Sequence, residues 1–135
     1  MKMSQLVLNR VFCKACGKTI MSMHRHDYVL CGCPNETMAD GGTDYIRCGG
    51  KDMTLVEPRP VYLSDGFDLC RGVPIWGTRG KDGDKPLRYI SLSEMSDGHI
   101  RAIVDVYEMH QWRKKLFEEE LEYRKKQNIS IQDAR

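Results

Sequence analysis

The pattern of apolar and polar positions changes character near Leu92. Before it, apolar residues come in short runs cut by Gly, Pro, Asn and Asp: "LVL" at 6–8, "YVLC" at 28–31 and "DYIRC" at 44–48. Such runs predict short strands. In "TLVEPRPVYL" (54–63) the prolines suit an edge or an extended connection, because proline gives no N–H to a ladder. "GVPIWGTRGKDGDKPLRYISL" (72–92) reads as two extended arms around a polar tip, a hairpin with a longer loop. The tip, "RGKDGDK", lacks the ligand spacing and distal glutamate of a calcium loop and is read as a turn.

After Leu92 the period becomes helical. Ser96 is an N-cap candidate, with Asp97 on the first turn where a negative charge suits the helix dipole. Ile100, Ile103, Val104 and Tyr107 form one stripe, and Trp112, Leu116, Phe117 and Leu121 a second. Met109, His110 and Gln111 blur the register between them, which predicts a kink or break. Glu120–Arg124 and Glu122–Lys126 are i,i+4 pairs in the favourable order. The tail "NISIQDAR" is expected to fray. The expected fold is α+β, a small zinc-ribbon β body followed by a hairpin and a C-terminal helical segment. Its divisions fall at 1–50 (ribbon), 51–92 (hairpin and extended region packing on the ribbon) and 93–135 (one helix or two).

The cysteines carry the clearest chemistry. Cys13 and Cys16 form a Cys-x-x-Cys followed by Gly17, and Cys31 and Cys33 form a second close pair. A Cys-x-x-Cys turn converges two thiolates on one ion, and a second pair closes a tetrahedral structural zinc site. The N-terminus shows no long apolar segment with a small-residue cleavage site, so the chain is expected in the cytoplasm, where thiols stay reduced and ligate metal. Cys48 and Cys70 are read as small buried hydrophobes. Formal net charge is +2, which four thiolates and one zinc would bring to zero. That balance argues against the strong basic field of a non-specific nucleic-acid binder. No apolar run approaches the ~20 residues of a membrane helix.

"HRHD" (24–27) offers His24, His26 and Asp27 to a second, hydrolytic metal, but with four cysteines closing the first site they are not needed as ligands. On an extended segment His24 and His26 would point one way and Arg25 and Asp27 the other, bracing the ribbon or meeting a partner. Asp40-Gly41-Gly42 supplies a tight turn. Tyr45 and Arg47 then share a strand face, able to stack on a base, grip a phosphate or anchor a protein contact. The plainer reading caps the small core with Tyr45 and pairs Arg47 with an acid.

Residues 13–47 resemble an uncharacterised family of small zinc-ribbon proteins of tailed bacteriophages and bacteria. The resemblance runs through Cys13, Cys16, Gly17, Arg25, His26, Asp27, Tyr28, Cys31, Cys33, Asp40, Gly41, Gly42, Tyr45 and Arg47. Pro34 stands where that family often has glycine. Residues 76–104 also look like segments of small phage proteins in which a Ser-Glu-Met-Ser-type cap opens a helix. These resemblances imply a phage-type accessory protein and carry no activity. The function expected is therefore non-enzymatic: binding and modulating a host protein complex, in takeover or anti-defence. Arg25, Tyr45, Arg47, His24, His26 and Trp112 are the candidate contacts. Alternatives are a nucleic-acid-binding ribbon using these residues with Arg79, Lys81, Lys85 and Arg88, and a metal-dependent hydrolase or nuclease using "HRHD".

Overall fold

The computed structural model describes residues 4–132. It is α+β and divides into two compact units, residues 1–66 and 67–135.

In the first unit, β1 (Leu6–Cys13) is the spine. β2 (Thr19–Ser22) pairs antiparallel with it from Asn9↔Ser22 to Phe12↔Thr19. A second sheet has the order β3 (Val29–Leu30), β4 (Met38–Asp40), β5 (Arg47–Gly49), all antiparallel. β6 (Val56–Pro58) and β7 (Val61–Tyr62), with only Arg59 and Pro60 between them, both return to β1. Arg59 N–H donates to the Arg10 carbonyl, so the run stays attached past both prolines. Pro58 ends the edge strand β6 and Pro60 lies in the connection to β7, places where a missing N–H is tolerated. Val11, Ile20, Ala39 and Val56 pack with Cys13 and Cys31 in a single core, joined by Val29, Cys33 and Cys48. Two metal-ligand candidates are thus core residues.

The second unit opens with a one-turn helix, α1 (Phe67–Cys70), followed by the hairpin β8 (Pro74–Thr78) and β9 (Arg88–Ser91). Its tip closes by the Lys85 N–H bond to the Arg79 carbonyl, a turn without a calcium-loop arrangement. α2 (Asp97–Val106) starts where Ser96 Oγ accepts from His99 N–H. The chain breaks over Tyr107–His110, and α3 (Gln111–Gln127) follows. Ile75, Ile90, Leu92, Met95, Ile100, Ile103, Leu116 and Phe117 are buried. Trp76 meets Phe117 and Tyr107 edge-on at 5.7 and 5.4 Å.

One expectation fails in this unit. Residues 128–132 do not fray. Asn128 takes a left-handed conformation that ends α3, Ile129 N–H closes on the Arg124 carbonyl, and Asp97 and Ile131 exchange backbone and side-chain hydrogen bonds. Residues 133–135 of that tail lie outside the described residues. The expected i,i+4 pair Glu120–Arg124 forms, and it lies inside the core. Arg124 is 2% exposed and Glu120 0%. Arg124 donates to Glu120 Oε2, Asp97 Oδ1 and the Leu92 carbonyl, each at 2.7 Å. Arg71 grips Glu120 through two bonds of 2.7 and 2.8 Å. Every charge in this set is paired, the condition under which burial is tolerated.

Candidate metal centre

Cys13 ends β1 and Cys16 lies in the turn after it, closed by the Gly17 N–H bond to the Cys13 carbonyl. Cys31 follows β3 directly, and its N–H donates to the Thr37 carbonyl at the start of β4. Cys33 lies in the intervening loop. The four sulphurs all fall within 4.8 Å of one another, with Cys13 and Cys33 3.7 Å apart and Cys31 and Cys33 3.4 Å apart. A disulfide requires ~2.05 Å. A tetrahedral ion with metal–sulphur bonds of ~2.3 Å sets its ligands ~3.8 Å apart. The donors fit a four-coordinate thiophilic ion, and these residues lie close enough to hold one.

Backbone donors complete the setting. Cys13 accepts from the N–H groups of Cys16 and Ala15, Cys31 from Cys33, and Cys33 from Asn35. Pro34 therefore costs nothing, because the N–H groups used belong to residues 33 and 35. The Thr37 hydroxyl, 3.1 Å from Cys13 Sγ, is the main reason the Cys13 thiol is brought down to about 6, with burial opposing. For Cys33 the Asn35 N–H is the largest influence and lowers it, yet Cys31, burial, Cys13 and Cys16 together push it to about 12. Cys13 is thus pulled down while Cys33 beside it is pushed up, and a cation that replaces their protons relieves the crowding.

"HRHD" is a turn, which corrects the extended reading. Asp27 N–H donates to the His24 carbonyl, His26 adopts φ +65°, and Asp27 Oδ2 accepts from Met23 N–H at 2.8 Å. His24 and His26 therefore do not share a strand face, and both are exposed. His24 Nε2 lies 3.9 Å from Asp27 Oδ1. The Ser22 hydroxyl donates to the Asp27 carbonyl and accepts from Gly42 N–H, locking this turn to the 40–45 loop. Gly42 (φ +54°) lies so close to the His24 backbone that a Cβ there would come within 2.4 Å of it.

Tyr45 precedes β5 instead of sharing a strand face with Arg47, and its ring lies over Gly41. Arg47 pairs with Asp40 at 3.9 Å and Arg25 with Asp44 at 3.7 Å; both arginines stay about two-thirds exposed. Trp112 sits half-buried in the first turn of α3, in the other unit. Cys48 is half-buried against the first unit's core and Cys70 is buried in the second. Sequence reasoning missed Asn35 and Thr37, since neither belongs to a recognised ligand spacing. Their signal was their place just after the second cysteine pair.

Fold and site together define a small, two-unit α+β protein whose first unit gathers four cysteines close enough to hold a metal ion. Residues 5–50 match the model of a family described as Domain of unknown function (DUF7695), an uncharacterised family. No curated protein and no solved structure matches the chain. No helix among the described residues is long and apolar enough to cross a membrane.

Proposed function

We propose that the chain is a non-enzymatic, zinc-stapled accessory protein of the phage type, which binds and modulates a protein complex of the bacterial host in its cytoplasm. The observation that carries this reading is the closed donor set. Four thiolates fill a tetrahedral zinc and leave no position for water or substrate. Among the described residues no second group of three or more His, Cys, Asp or Glu could hold a metal. Asp27, the carboxylate a hydrolytic centre would need, is spent on holding a turn.

The binding face we assign is the outer side of β3–β4–β5. Residues opposite each other in an antiparallel pair share a face, so Leu30, Met38 and Gly49 form one row and Asp40 and Arg47 the next; Met38 and Asp40 are buried, and the exposed part of this face is its rim. Val29, Ala39 and Cys48 take the core side. Tyr28, Leu30 and Met53 are more than half exposed, and the Met38 and Met53 sulphurs reach toward bare Gly49. Flexible methionines beside a glycine suit an apolar side chain of a partner. Arg25 and Arg47, held only loosely by their acids, can turn to its carboxylates.

The test is affinity capture by the tagged full chain from bacterial lysate with nuclease, beside metal analysis. We expect one zinc per chain and a stoichiometric protein that survives nuclease and is lost on Leu30→Asp with Met53→Asp. Recovery of nucleic acid alone, or a second metal per chain, overturns the reading.

A further inference from the structure

The hydrogen bonds behind Cys13 have a fixed direction. Asp52 N–H donates to Asn35 Oδ1 at 2.8 Å, which settles the orientation of that amide. Its Nδ2 then faces Thr37 Oγ1 at 2.8 Å, with a second, longer bond to the Asp52 carbonyl. Thr37 Oγ1 accepts there, so its single hydrogen is left for Cys13 Sγ, 3.1 Å away. Thr37 is 0% exposed and Asn35 7%, so water does not compete for these groups. Gly50 leaves the room this needs, since a Cβ there would stand 2.8 Å from Asn35 Nδ2. Asp52 is itself anchored, its carboxylate capping the short turn 53–55.

The four ligands are unequal in consequence. Cys13 is fully buried and carries the Thr37 donor, whereas Cys16 is exposed. A buried sulphur with a directed O–H donor is held in place and shielded from solvent reagents. An exposed one on a turn is the ligand that can swing away without opening the core.

We propose that Asn35 and Thr37 are positioning residues of the metal centre: they hold Cys13 as its permanent ligand, so that metal enters and leaves by way of Cys16. This rests on the zinc reading above. Partner residues of this kind orient metal ligands, and their loss typically weakens binding ~10–100-fold.

The experiment uses the zinc-loaded full chain. N-Ethylmaleimide is added with a chromophoric chelator, modified cysteines are mapped by mass, and zinc release is followed in parallel. Expected is modification of Cys16 before Cys13, in step with release. Thr37→Val should lower the affinity for zinc by ~10–100-fold and bring Cys13 forward in the order, while Thr37→Ser restores both. Modification of Cys13 first in the unaltered protein overturns the proposal. So does a Thr37→Val chain that folds, binds zinc as tightly and keeps the order. Should Thr37→Val fail to fold, the order in the unaltered protein and in Thr37→Ser decides. A chain that purifies without zinc and binds none overturns the zinc reading itself, an outcome distinct from these.

Discussion

Gly42 and Gly98 show how differently two glycines of one chain respond to the same methyl group. At Gly42 the backbone is left-handed and a Cβ would come within 2.4–2.7 Å of the His24 backbone, which cannot rotate aside. Left-handed backbone alone costs an L-residue ~1–2 kcal/mol, and the collision adds to it. At Gly98, on the first turn of α2, nothing lies within 4 Å and the backbone is ordinary helix. There alanine narrows the unfolded ensemble and stabilises by ~0.4–1 kcal/mol. Gly42→Ala should therefore lower the thermal midpoint of the first unit by well over the ~1–2 kcal/mol equivalent, while Gly98→Ala raises that of the second. Equal and small shifts at both positions would show that the 22–28 and 40–45 turns are not locked as described.

At the scale of elements, α3 carries the feature hardest to read from its residues. Its i,i+4 Glu120–Arg124 spacing is legible, but the same spacing serves a solvated helix face, and only the positions of Arg71 and Asp97 turn it inward. The hairpin, the Ser96 cap and the cysteine pairs were legible because each is set by local chemistry: turn residues, a hydroxyl at a helix start, ligand spacing. The "HRHD" turn was not, because its shape comes from a tertiary lock by Ser22 and Gly42 that alternation does not encode. Removing one member of the buried network leaves charge unpaired, so Glu120→Gln should destabilise the second unit by ~3–5 kcal/mol in denaturant melts. Asp97 adds a pH signature. Burial, the largest single influence on it, pulls its carboxyl upward, but the Arg124 bond and charge, Ile131 N–H and Ser130 outweigh this and leave it below 3.8. A depressed carboxyl contributes stability that is full above the unfolded value and lost as pH falls through the folded one. The second unit's stability should thus hold from pH 7 to 5 and fall below about 4, with Asp97→Asn removing part of that fall.

For the molecule as a whole, the two units answer one problem in different ways. Domains under ~70–80 residues rarely gain enough from an apolar core alone. The first unit joins β1, the β3–β4 loop and the residue 51–55 segment at its four cysteines, through Lys14 N–H to the Leu55 carbonyl and Asn35 to Asp52. On the zinc reading proposed above, metal binding is folding free energy, since the unfolded chain has no preformed site. The second unit has no such cysteine group among the described residues and holds together through Arg71, Glu120, Arg124 and Asp97 inside its apolar shell. A strong zinc chelator should therefore act on one unit and not on the other. Amide exchange is the measurement, because it reads each element separately. Chelation should strip protection from β1, β4 and β6 while leaving α2 and α3 protected, and added zinc should restore the first set. Loss of protection across both units would mean that the second is folded only on the first, and retention in both would mean that the cysteines do not staple the chain.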